Sequence, residues 1–275
     1  MGLTLVLAGG GVTGIAWETG VLLGLRDGGV DLVPRVDKVV GTSAGSAVGA
    51  QILGGPDLAE LFDRQCDEKH HEIDPVLDLE LLARVFGCMT DGGTHDDEQR
   101  RLIGELALTA RTVDETTRRR VIEHRLANID WPETELVITA IDANSGAFVT
   151  WTKHDGISLV DAVASSCAVP GVWPCVTIGD RRYYDGGLRN GANAFLASGS
   201  REVVVIAPRV AGPSPAADAE IARLRDEGSV VHVIETDHAA NEAIGLNSLD
   251  PSKRPAAAEH GRRQGRAAAT TIELH

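Results

Sequence analysis

Three short stretches of the sequence combine residue types that suit nucleophilic chemistry. The first is Gly41-Thr42-Ser43-Ala44-Gly45, a G-x-S-x-G pattern. A serine on a sharp strand-to-helix turn is pushed out of the backbone, which exposes its hydroxyl. Gly41 and Gly45 must be small, because neighbouring backbone packs against such a turn. A helix opening just after the serine adds free N–H groups and a positive dipole end. The second stretch is Gly9-Gly10-Gly11-Val12-Thr13-Gly14. Its three leading glycines let backbone amides converge on one point, which suits a developing oxyanion or a phosphate. The third is Asp185-Gly186-Gly187, directly after Arg182-Tyr183-Tyr184. A carboxylate at a strand end before a tight turn is a candidate base.

Each stretch has a rival reading. Gly9, Gly11 and Gly14 fit G-x-G-x-x-G, the fingerprint of a dinucleotide-binding Rossmann domain. Such a site wants an acid at the end of the second strand. Here that position holds Gly41-Thr42-Ser43, and Asp31 and Asp37 precede the strand. A Ser-His-Asp α/β-hydrolase also uses G-x-S-x-G, with His232 or His238 in the right chain order. That fold builds several strands before its elbow, whereas two precede Ser43. Asp91-Gly92-Gly93 repeats the D-G-G letters within a polar helical stretch and reads as a surface turn. Arg118-Arg119-Arg120, set among Asp114, Glu115 and Glu123, reads as a solvated helix face, with a headgroup or phosphate contact as the alternative.

The elements that must hold these residues follow from hydrophobic pattern. Residues 3–8 and 37–42 read as buried strands, and 14–26 and 44–53 as helices. Strand, helix, strand, helix is the signature of a parallel sheet. Residues 57–127 are polar and mostly helical in pattern, a helical insertion beside the sheet. Strand signals return at 135–141, 147–152, 175–178, 181–184, 202–207 and 230–234. Residues 212–217 read as a Pro/Ala loop and 252–269 as a closing helix. No repeat or linker divides the chain, so residues 1–275 are expected to form one α/β domain, a mostly parallel central sheet sandwiched by helices.

Composition narrows the function. The chain has 275 residues, 43% hydrophobic and 24% charged, with a net charge of −14. Nucleic acid is not an expected partner, because counterion displacement needs a basic face. Adhesion to anionic lipid by charge alone is likewise excluded. With aromatics at 4%, a substrate pocket is expected to be lined by aliphatic side chains and backbone. Cys66, Cys88, Cys167 and Cys175 form no C-x-x-C pair and no zinc spacing, so reduced thiols, a cytoplasmic location and no metal or organic cofactor are expected. No run is convincing as a membrane span, so membrane contact is expected to be peripheral.

Together, the glycine-rich loop, the G-T-S-A-G-S elbow about thirty residues later and the distal D-G-G resemble the patatin-like phospholipase family. Ala164 to Pro174 is similar to the segment before that family's D-G-G, and Asn247 to Pro251 to a later pattern of its bacterial members. The resemblance covers residues 5 to about 200. It implies a patatin-like three-layer fold and a serine lipid acyl hydrolase with a Ser-Asp dyad, of phospholipase A, lysophospholipase or carboxylic esterase type. By it Ser43 is the nucleophile, Asp185 the base, and the Gly9, Gly10 and Gly11 amides the oxyanion hole. The implied partner is a lipid or acyl-ester substrate, and no cofactor is needed. Thr13 stands where many relatives carry Arg or Lys. Its presence leaves oxyanion stabilisation to backbone dipoles and weakens the expectation of an anionic substrate. An acyltransferase with the same dyad and a non-catalytic lipid-binding module are the remaining alternatives.

Overall fold

A computed structural model describes residues 2–67, 72–73, 75, 77–88, 96–209, 214–245 and 247–274. The regular elements, in chain order, are β1 (Leu3–Leu7), α1 (Gly11–Asp27), β2 (Val36–Gly41), α2 (Ala44–Gly54), α3 (Leu58–Cys66), α4 (Leu79–Cys88), α5 (Asp97–Thr109), α6 (Glu115–Leu126), β3 (Glu135–Asp142), β4 (Phe148–Trp151), α7 (Leu159–Ser166), β5 (Val176–Ile178), β6 (Arg181–Asp185), β7 (Glu202–Ala207), α8 (Pro215–Asp226), β8 (Val230–Glu235), α9 (His238–Ile244) and α10 (Arg254–Ala268).

The strands form one sheet in the order β5-β6-β3-β2-β1-β7-β8, with β4 also paired to β3. The β2-β1-β7-β8 side is parallel, and β3 is parallel to β2. β4, β5 and β6 add antiparallel pairs. The central strands are apolar runs because both faces are covered. Along β1, Leu5 and Leu7 face a core shared with α1, α2, α7 and α10. Val6 points to the other face, where α8 supplies Ala217, Ile221 and Leu224. Alternate side chains of one strand thus bind two helical layers together. The expected three-layer α/β fold with helices between residues 57 and 130 is what the chain adopts.

One detail of register positions the site. Ile138 of β3 pairs with Gly41 of β2 on one side and with Trp151 of β4 on the other. Ala140 pairs with Asp185 of β6 and with Val149 of β4. β2 and β6 therefore lie on the same edge of β3 and abut end to end at Thr139. Whatever follows Gly41 must face whatever ends β6.

Sequence pattern and structure part at several elements. Helices α7, α8 and α9 were not foreseen. Pro215 to Ala217 open α8 instead of continuing a loop, because a proline in the first helical turn loses no hydrogen bond. Residues 212–213 of that expected loop, and Asp91-Gly92-Gly93, lie outside the described residues. Cys66, Cys167 and Cys175 are free thiols.

Candidate active site

Ser43 sits between β2 and α2 with φ 52° and ψ −115°. A non-glycine residue reaches that region only where its surroundings hold it there. Its amide donates to Ser166 Oγ at 2.9 Å. Its carbonyl accepts from Ser46 Oγ at 2.6 Å and from the Cys167 thiol at 3.3 Å. Gly45 is fixed by space, since a Cβ there would strike the Leu7 carbonyl. A Cβ on Gly41 would come within 2.6 Å of Ser46 Cα. The serine itself is 7% exposed.

Asp185 ends β6 and is 2% exposed. The Gly187 amide donates to its Oδ1 at 2.8 Å. Burial pushes its carboxyl up to about 7, against smaller downward pulls from the Ser43 hydroxyl and the Gly187 amide. Desolvation disfavours the charged form, and two neutral donors offset it only in part. A polar seam holds the two strand ends in place. Thr42 Oγ1 and Thr139 Oγ1 share a hydrogen bond at 2.9 Å, and Asn193 Nδ2 donates to Thr42 Oγ1 and to the Gly186 carbonyl. The segment before β6 braces both candidates, because Ala168 accepts from the Asp185 amide while Ser166 and Cys167 hold Ser43.

The glycine loop lies beside the elbow. A Cβ on Gly9 would stand 3.4 Å from Ser43 Cβ. The Gly9 amide, however, donates to the Gly191 carbonyl at 2.9 Å. Among the described residues the amides of Gly10 and Gly11 have no such partner, and they sit at the start of α1. Gly11 has φ +65°, and a Cβ there would come within 2.5 Å of the Ser248 carbonyl. The same carbonyl accepts from the Thr13 amide and Thr13 Oγ1, both at 3.1 Å. Thr13 is fully buried and clamps the Asn247–Pro251 segment against the loop.

Neither candidate histidine meets Ser43. His232 pairs with Val204 within β8, three strands from β2 across the sheet. His238 starts α9 on the surface and faces Glu242 at 3.7 Å. Two charged groups were missed by pattern. Glu18 on α1 is fully buried, and neither carboxylate oxygen has a hydrogen-bond partner among the described residues. Burial holds its carboxyl well above the usual range, with a lesser downward pull from the Ala8 amide. Arg118 is 6% exposed, with its guanidinium 3.8 Å above the Trp173 ring. The solvated-face reading therefore fails at Arg118. It holds for Arg120, which is exposed, and Arg119 pairs with Glu123 and Asp161. A cavity of about 880 Å³ beside α1, α2 and α6 is lined largely by polar side chains, including Arg125, Glu72 and Arg254. Ser43 and Asp185 do not line it.

The family model for patatin-like phospholipases matches residues 5–198, from β1 past the Asp185 turn. The chain belongs to the patatin-like phospholipase family. No curated protein matches it. Among solved structures, VipD from Legionella pneumophila is similar with a TM-score of 0.48 and 13% identity, over 98% of this chain and 66% of its own. The type III effector protein ExoU gives 0.41 and 15%, over 99% of this chain and 54% of its own. The chain thus spans about two thirds of the first of these proteins and about half of the second. Among the described residues no helix is long and apolar enough to cross a membrane.

Proposed function

We propose that the protein is a lipid acyl hydrolase working through Ser43 and Asp185, with residues 1–275 acting as one catalytic domain. The observation that carries this reading is the end-to-end meeting of β2 and β6 on one edge of β3, which sets a strained serine against a buried carboxylate. The Ser43 hydroxyl oxygen attacks the ester carbonyl carbon while its proton passes to the Asp185 carboxylate. The tetrahedral oxyanion is held by the Gly10 and Gly11 amides, preorganised donors in a site largely shielded from water. Gly9 has a different task, because its amide is already committed to Gly191. Collapse breaks the ester C–O bond, and Asp185 returns the proton to the departing alkoxide. Water then attacks the acyl-serine, its proton goes to Asp185, and the carboxylic acid leaves as Ser43 is restored.

An aspartate at its ordinary pKa would be a poor base for an alcohol. One raised towards neutrality is matched to the task. The substrate class proposed is a carboxylic ester of a lipid, met from the cytoplasm with at most peripheral membrane contact. Ser43→Ala and Asp185→Asn should each lower turnover of a p-nitrophenyl acyl ester by about a thousandfold or more while the far-ultraviolet circular dichroism stays unchanged. Retained turnover in either folded variant would remove that residue from the mechanism.

A further inference from the structure

The cavity beside α6 is lined by Arg125 and Arg254, with Glu72, Asp67 and Glu123 among its acids, and Arg118 is buried within the field of Arg125 and Glu72. Glu72 accepts from Arg125 Nη2 with both oxygens, at 2.7 and 2.8 Å. Burial opposes its ionisation, but Arg125, then Arg118 and Arg254, keep its carboxyl below the usual range. Three guanidinium groups therefore surround one carboxylate. Burial pushes Arg118 down only to about 10, so it remains charged near neutral pH. Arg254 spends Nε on Gln65 Oε1 and Nη2 on the Arg64 carbonyl, both neutral acceptors. Its Nη1 is buried without a partner, as are Nε and Nη1 of Arg118. Buried charge is costly unless paired, and orphaned buried donors point to a missing acceptor.

We propose that Arg118, Arg125 and Arg254 form a subsite for a phosphoryl group. With Glu72 and Asp67 set against Arg118, Arg125 and Arg254, one positive charge is left over. That charge and the unpartnered buried N–H donors match a group that carries one to two negative charges on three or four oxygens. The rest of the molecule makes the choice pointed, since a chain of net charge −14 gains nothing in solubility by burying arginines.

The cavity borders the first turns of α1, next to the glycine loop, although Ser43 and Asp185 do not line it. The Cys167 thiol, bonded to the Ser43 carbonyl, lies in the field of both Arg125 and Arg118. Val12 and Ile15, just beyond the glycine loop, line the same cavity. In a glycerophospholipid only the glycerol carbons separate phosphate from acyl ester. The subsite therefore supplies, from α6 and α10, the positive charge that Thr13 does not supply at the loop. Only this link to a lipid substrate rests on the hydrolase reading; the phosphoryl site stands without it.

The test uses the full chain carrying Ser43→Ala, so that no probe is consumed. Unfolding midpoints are measured with inorganic phosphate, glycerol 3-phosphate, a monomeric lysophospholipid and a monoacylglycerol, each against chloride at equal ionic strength. A ligand that binds only the native state raises the midpoint. Either free phosphate compound should raise it beyond chloride, or the lysophospholipid should raise it beyond the monoacylglycerol. The first result identifies a free phosphate ester as sufficient, and the second requires the lipid. Arg254→Gln and Arg118→Gln should each weaken the effective probe at least tenfold, while Arg223→Gln, on the exposed face of α8 and away from the cavity, should not. If an arginine variant fails to fold, the comparison of probes on the parent protein still decides. No phosphate-specific rise from any probe, or an undiminished rise in both folded variants, overturns the subsite. Phosphate binding together with an unreactive Ser43 would keep the subsite and discard the hydrolase.

Discussion

At Ser43 the backbone is held at φ 52° by contacts that its neighbours supply, and at Asp185 a carboxylate is held almost dry. Both conditions are unfavourable on their own, and the chemistry they permit has measurable signatures. As Asp185 must be ionised to take a proton, kcat/KM should rise about tenfold per pH unit below about 7 and level above it. A profile that is flat there, or centred near the ordinary carboxylate range, would assign the base elsewhere. The same shift bears on stability. A folded pKa raised above the unfolded value means that the native state binds the proton more tightly. The stability this gives is complete below the unfolded pKa and is lost as pH rises to the folded value. Asp185→Asn, permanently neutral, should therefore unfold a few degrees higher than the parent at about pH 8 and little differently at about pH 4. Chemical denaturation at the two pH values checks the sign.

Among the elements, α1, which begins at the glycine loop, packs most closely against α10. Gly20 and Gly24 on α1 and Gly261 and Gly265 on α10 each abut backbone of the other helix. A Cβ on Gly261 would collide with the Trp17 carbonyl, so Gly261→Val should destabilise the fold by about 1–3 kcal/mol, read as a lower denaturant midpoint with an unchanged slope. The β1 and β2 strands and the α1 and α2 helices were legible in sequence because their apolar runs end at glycines, and β3 and β7 because they are short, almost unbroken apolar runs. Ser43, Asp185 and the glycine loop stood out as candidates because chemistry restricts the residue types such a site can use, and the fold brings these three segments together. The Gly9 amide was misassigned, because which amide a loop leaves free depends on Gly191, far off in sequence. Arg118 was misread for the same reason. Local pattern sees Asp114 and Glu123 on the same helix, but Trp173 reaches it only through the fold. Helices α7 and α8 were missed where short or proline-opened segments gave weak periodicity.

For the whole molecule, the balance of charge sets how it meets a lipid surface. A net charge of −14 repels anionic bilayers over roughly a Debye length, about 8 Å at physiological salt. Cosedimentation with anionic vesicles should accordingly strengthen as salt is added, and with zwitterionic vesicles should change little. Weakening with salt would mean that a cationic face docks. The proposed hydrolysis depends on Ser43 being an activated nucleophile with Asp185 as its base. The direct measurement is reaction of the purified protein with a fluorophosphonate probe, the adduct located by peptide mass spectrometry, with Asp185→Asn treated in parallel. A single adduct on Ser43, formed far more slowly in the Asp185 variant, is the predicted result. An unmodified Ser43 in folded protein, with and without lipid vesicles, or equal labelling in the variant, would contradict it.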